Sequence, residues 1–140
     1  MKKTDEFGDR MKWYESQGTS PKLDVSLPIC IRIDGRSFSK FTKGCERPFD
    51  SRISTAMRET CAYLVEETHA KVGYVQSDEI SLILYANENG SIIFDGKMHK
   101  LNSVLASMAA VKFYSVFGGD KLPAFDCRSW NVPTKMEASN

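Results

Sequence analysis

No stretch of the 140 residues is both apolar and long enough to span a bilayer, and no apolar h-region opens the chain. The expectation is therefore a cytoplasmic protein with no membrane partner. Cysteine is present only at Cys30, Cys45, Cys61 and Cys127. No two of these stand at zinc-pair spacing, and His69 and His99 are isolated, so reduced thiols are expected rather than a zinc site or a disulfide. Charge of one sign is also missing. A net charge of +1 excludes a polyelectrolyte that binds nucleic acid or lipid by bulk charge. There is no internal repeat, no low-complexity tract, no P-loop spacing G-x-x-x-x-G-K-[ST], and no RNP-like run of the kind RNA-recognition domains use.

What remains is an ordinary globular composition, 41% hydrophobic and 26% charged, in a chain that fits one domain. A chain of this size buries about two-thirds of its unfolded surface. Charge is nevertheless uneven locally. Between Arg32 and Arg58 stand Arg32, Arg36, Lys40, Lys43, Arg47, Arg52 and Arg58, opposed only by Asp34, Glu46 and Asp50. That imbalance reads either as a solvated face or as an anion-binding side.

Hydrophobic periodicity orders the chain. Residues 1–26 form a polar segment with a short helix in "FGDRMKWYES", where Phe7, Met11 and Tyr14 recur at helical spacing. A strand runs from Leu27 to Ile33, with Ile29, Ile31 and Ile33 on one face and Cys30, Arg32 and Asp34 on the other. "DSRISTAMRETCAYLVEETH" is a helix whose apolar stripe is Ile53, Ala56, Met57, Cys61, Leu64 and Val65. Val72–Val75 and Ile80–Tyr85 read as a hairpin with acids at its tip, and Ser91–Phe94 as a short extended piece. "HKLNSVLASMAAVKFYSVF" is a second helix, with Leu101, Val104, Leu105, Met108 and Val111 as its buried stripe and Gly118-Gly119 as its stop. "PAFDCRSWNVP" is a last strand, and residues 134–140 form a frayed tail. Residues 27–133 thus make one α+β domain of order β-α-β-β-α-β, the ferredoxin-like arrangement of polymerase palms and of RNA-binding domains.

In that topology the first strand and the central hairpin are neighbours. Asp34 would then lie close to Asp78 and Glu79, although they are far apart in the chain. Like charges repel at short range, and a divalent cation would neutralise them. Hard carboxylate oxygens suit Mg²⁺, which keeps waters and takes phosphates as further ligands. Taken singly, Asp34-Gly35 and Asp78-Glu79 are equally well read as turn chemistry. Their joint placement favours a metal site for phosphoryl or nucleotidyl transfer. Lys100, Ser103 and Ser107 share one helix face near an N-terminus and suit phosphate, and "RSFSKFTKG" after Gly35 offers amides, hydroxyls and a lysine for a triphosphate.

The blocks "IRIDGRSFSKFTKG", "RPFDSR", "GYVQSDEISLIL", "KLNSVLAS" and "FDCR", in this order, resemble the tRNA(His) guanylyltransferase family from about Leu27 to Pro133. The resemblance implies a polymerase-like palm that adds nucleotides in the 3′-to-5′ direction to the 5′ end of tRNA or other RNA, using GTP, ATP or another NTP. It implies Asp34, Asp78 and Glu79 as catalytic acids, with Asp34, the Gly35 carbonyl and Asp78 as ligands of two Mg²⁺ ions. Gly35, Arg36, Ser37, Phe38 and Ser77 would border the nucleotide, and Lys100 and Ser103 would contact the triphosphate. Arg32, Lys40, Lys43 and Arg47 are candidates for RNA phosphates. A homo-oligomer, dimer or tetramer, is the family's habit. The family is longer and carries a further motif beyond the palm that is absent before Asn140, so the chain reads as a fragment or a minimal version. Competing readings are a non-catalytic RNA- or nucleotide-binding module and another palm enzyme such as a nucleotide cyclase.

Overall fold

The computed structural model describes residues 6–19, 21–38, 51–86 and 90–139. Lys40, Lys43 and Arg47, expected to meet RNA, lie outside them. The elements are α1 (Glu6–Thr19), β1 (Ile29–Gly35), α2 (Ser51–Thr68), β2 (Val72–Gln76), β3 (Glu79–Leu84), a 3₁₀ turn (Ile93–Gly96), α3 (Met98–Phe117), β4 (Phe125–Asn131) and a helical turn α4 (Lys135–Ala138). The four strands form one sheet in the order β2-β3-β1-β4, with every neighbouring pair antiparallel. This is the ferredoxin-like order that the β-α-β-β-α-β pattern predicts.

Alternation along β1 divides the two faces. Ile29, Ile31 and Ile33 are buried with Ile80, Leu82 and Leu84 of β3. Ala56, Met57, Cys61 and Leu64 of α2 and Leu101, Leu105, Ala109 and Phe113 of α3 close over them. Both helices therefore cover the isoleucine face. Thr60, also fully buried, donates its hydroxyl to the Ala56 carbonyl at 2.7 Å, so its polar atom costs the core little.

The buried line of α3 departs from the expected one. Val111, placed in the stripe by its spacing, is 70% exposed, and Val104 and Met108 are only partly buried. A helix that is apolar almost all round does not announce which side faces the sheet, and here the 101-105-109-113 line wins. The extended piece expected at Ser91–Phe94 is instead a 3₁₀ turn, with Phe94 and Asp95 at positive φ. It is held because the Gly96 carbonyl accepts from the Leu23 N–H at 2.8 Å and Lys22 pairs with Asp95 at 2.7 Å. Leu23 joins the core through that contact. The tail expected to fray contains α4, where the Thr134 hydroxyl caps the turn by accepting from the Glu137 N–H.

Candidate active site

The strand ends at Asp34 and Glu79 create the site. Asp34 pairs in register with Glu79 on one side and with Asp126 of β4 on the other. Residues directly opposite in an antiparallel pair have Cβ atoms about 5 Å apart. Beyond them the Gly35 N–H donates to the Asp78 carbonyl at 2.9 Å, and the Arg36 N–H donates to the Ala124 carbonyl at 2.8 Å. These two bonds tie the turn after β1 to the hairpin link and to the entry of β4. The backbone therefore brings Asp34, Gly35, Asp78 and Glu79 to one corner of the sheet.

Local geometry explains the residues around them. Gly35 has no room for a side chain, because an added Cβ would sit 2.8 Å from Cγ of the Phe38 ring and closer still to Cδ1 and Cε1. Phe38 lies buried beneath the turn, edge-on to Phe113 and Phe125 at 5.3 and 5.4 Å between ring centroids. Its place is thus in the core, where it supports Gly35 from below. Ser37 and Ser77 both hold positive φ, 53° and 57°. Ser77 and Asp78 are the whole link between β2 and β3, and a non-glycine residue at positive φ in a two-residue hairpin is a strained choice.

Period-two alternation on the four strands sets out the sheet face opposite the helices. At its acid end stand Gln76, Glu79, Asp34 and Asp126; next come Tyr74, Ser81, Arg32 and Arg128; then Val72, Ile83, Cys30 and Trp130. Arg32, expected to meet RNA phosphate, points instead at the acids. Its Nε lies 3.2 Å from Glu79 Oε1 and 3.6 Å from Asp34 Oδ2. That nitrogen is buried and makes no hydrogen bond despite the short ion-pair distances. Arg128 Nε stands 4.0 Å from Asp126 Oδ1. Asp126 was legible only as part of "FDCR"; its alternation with Cys127 on β4 is the signal that places it beside Asp34.

The acids also act through the sheet. Burial, then the negative charges of Asp126 and Asp34, push the Cys127 thiol up to about 12. Cys127 faces the helix side, where its sulfur is 3.7 Å from Asn102 Oδ1, an atom that also accepts from the Ser129 hydroxyl at 2.7 Å. Lys100 and Ser103 are not brought to the acids. The Asn102–Ser129 bond and the Phe113–Phe125 contact show that α3 runs antiparallel to β4. Its first turns therefore lie at the Asn131 end, about 20 Å along the helix from Phe113. Lys100 sits over the Phe94 ring at 5.0 Å there, and Ser103 bonds back to the Lys100 carbonyl.

Among the described residues no three His, Cys, Asp or Glu side chains converge to hold a metal. Two carboxylates and a backbone carbonyl at one corner fit a different demand. Mg²⁺ is usually bound by one or two carboxylates, with waters and substrate phosphates completing its octahedron. The donor set at Asp34, Gly35 and Asp78 suits that ion.

A four-stranded antiparallel sheet with both long helices on one face is the ferredoxin-like class of fold that polymerase palms use. The profile of the tRNA(His) guanylyltransferase family matches residues 8–133, and the chain belongs to that family. It is 32% identical over 126 residues to tRNA(His) guanylyltransferase of Schizosaccharomyces pombe, covering 80% of this chain and 46% of that one. A bacterial tRNA(His) guanylyltransferase-like protein solved in complex with GTP superposes with a TM-score of 0.86 at 41% identity, covering 92% of this chain and 60% of that one. A structure of such a bacterial protein in complex with ATP gives the same TM-score at 39% identity, covering 91% and 58%. The chain spans 39–51% of the length of the curated relatives it matches.

Proposed function

We propose that the chain is the palm of a metal-dependent nucleotidyltransferase that adds nucleotides from GTP or another NTP to the 5′ end of tRNA or a related RNA, in the 3′-to-5′ direction. The observation that carries this reading is the Gly35–Asp78 backbone bond, which sets Asp34 beside the Asp78-Glu79 tip. Relatives solved with GTP and ATP support a nucleoside triphosphate as ligand. Asp34, the Gly35 carbonyl and Asp78 would hold two Mg²⁺ ions, which when bound lower the pKa of an attacking hydroxyl and neutralise the triphosphate.

The chain's own residues position the reactants. Arg36 and the Ser37 and Ser77 hydroxyls would border the triphosphate. A 5′-monophosphate of RNA would attack the NTP α-phosphate with loss of pyrophosphate, and the 3′-hydroxyl of an incoming nucleotide would then displace the activating group. Arg32 holds Glu79 and Asp34 in place rather than reaching RNA. Lys100 and Ser103 stand in the first turns of α3, away from Phe113 and the acid end. They would serve a second nucleotide, or the site of another copy in a homo-oligomer.

Asp34→Ala and Asp78→Ala are each expected to abolish incorporation of labelled GTP while circular dichroism stays unchanged. Full incorporation by the double variant would end this reading.

A further inference from the structure

Arg32 is an odd neighbour for a metal site. It stands two residues before Asp34 on the same face of β1, in register with Ser81 on one side and Arg128 on the other. A like charge directly across destabilises a sheet, so stability alone would set an acid at one of these positions. Both arginines lie one row behind Asp34, Glu79 and Asp126, and Arg32 reaches forward to the first two. Its Nε is 3.2 Å from Glu79 Oε1 and 3.6 Å from Asp34 Oδ2, yet that nitrogen is buried without a hydrogen bond. This nitrogen holds the acids by charge and not by a directed bond. A forked, hydrogen-bonded arginine would lock a carboxylate in one geometry. Here the Asp34 and Glu79 side chains keep 28% and 32% of their surface exposed, so a cation from solvent can still reach them.

We propose that Arg32 is the internal counter-ion of the acid corner, a positioning residue that stands in for the divalent cation when none is bound and competes with it for Asp34. This rests on the metal-dependent reading of Asp34, Gly35 and Asp78, and adds what an incoming cation must displace. The closer contact, to Glu79, anchors the guanidinium; the looser one, to Asp34, is the one given up. Two effects of Arg32 oppose each other. It can prearrange the acids and favour the cation, or repel the cation and disfavour it. Strand register already fixes where Asp34 and Glu79 stand, and a contact without hydrogen-bond geometry adds little orientation. Charge remains. A guanidinium within 4 Å of a ligand carboxylate satisfies the same negative charge that the cation seeks, and repels the cation itself. Repulsion therefore wins, and Arg32 holds cation affinity down while keeping the acids together in the metal-free protein.

Mn²⁺ serves as the probe, because carboxylate, carbonyl and water ligands suit it as they suit Mg²⁺. Electron paramagnetic resonance of the free ion measures its affinity for the full chain. Arg32→Gln is expected to tighten Mn²⁺ binding about 10-fold. Arg32→Lys keeps the charge and, with no fork to lose, should stay within about two-fold of wild type. Arg32→Met, a second neutral variant, should match Arg32→Gln. In EDTA both neutral variants should melt below wild type, and saturating Mn²⁺ should close most of that gap, as linkage requires of a tighter ligand. A merely structural arginine would lower the melting temperature equally in EDTA and in Mn²⁺. Unchanged or weaker Mn²⁺ affinity in both neutral variants would overturn the proposal. Asp34→Asn and GTP separate the two readings on the same samples. If Asp34→Asn abolishes Mn²⁺ binding while the neutral Arg32 variants fail to tighten it, the metal site stands and the counter-ion role falls. If Mn²⁺ binds neither wild type nor Arg32→Gln, both fall. If Arg32→Gln tightens Mn²⁺ while GTP gives no Mg²⁺-dependent thermal shift, the counter-ion stands and the transferase reading falls.

Discussion

Asp34 has an acid across from it on each side, and Arg32 is set against it from the same strand. The field of these acids reaches Cys127 on the far face, where it adds to burial in disfavouring the thiolate. With a pKa of about 12, the thiolate at pH 8 is about one part in ten thousand, and alkylation requires that form. Native protein treated with iodoacetamide at pH 8 should therefore leave Cys127 unlabelled over a time that labels it fully in denaturant. Asp126→Asn removes one repelling charge, lowers the pKa and should speed labelling. Peptide mass spectrometry reads both, and equal rates in native and denatured protein would refute the account. The sign for stability follows from the same shift. The fold prefers the neutral thiol, so this contribution is whole below pH 9.0 and is lost as pH rises towards about 12.

The turns at Gly35 and Ser77 are the elements that carry the chemistry. Each has a residue that its neighbours dictate. Gly35→Ala would drive a Cβ into the Phe38 ring, so either the turn lifts or the aromatic cluster opens. Loss of about 2 kcal/mol is expected, in the range for overpacking. Phe38→Leu should be costly alone yet recover part of the loss when combined with Gly35→Ala, a coupling that a double-mutant cycle by urea denaturation measures. Additive losses would mean that Phe38 is not what excludes the Cβ. Ser77→Gly relieves a positive φ and should raise stability by about 1 kcal/mol while weakening the Mg²⁺-dependent thermal shift by GTP. At the end of α3, Gly118 holds φ of 70° and donates to the Tyr114 carbonyl at 2.8 Å. Its ψ of −153° lies in a region essentially restricted to glycine, so Gly118→Ala should cost about 2 kcal/mol, a fall in melting temperature of about 6 °C, with no change in nucleotide incorporation.

For the whole molecule, GTP should raise the melting temperature only when Mg²⁺ or a similar cation is present, because the ligand would be held through the cation by two acids that otherwise repel it. Equal stabilisation in EDTA would argue for a nucleotide-binding module that needs no metal. Much of this architecture was legible along the chain. Strict alternation at Ile29–Asp34 assigned Asp34 to the face opposite the isoleucines, and the two β-rich runs around Gln76–Glu79 marked a hairpin, since period two and turn residues are local properties. The buried side of α3 was not legible, because its apolar residues surround the helix and only the sheet and α2 select the Leu101–Phe113 line. Nor were the partners of Asp34. That Asp126 stands across from it, that Arg32 turns to Glu79 rather than to solvent, and that Lys100 begins its helix at the other end of the sheet all depend on strand order and register. The sequence by itself determined which residues share a strand face and the order of the four strands and two long helices, through steric and hydrophobic periodicity acting within a few residues. The tertiary structure alone decided which charges meet, because pairing across strands is set by long-range packing of the isoleucine face against two helices.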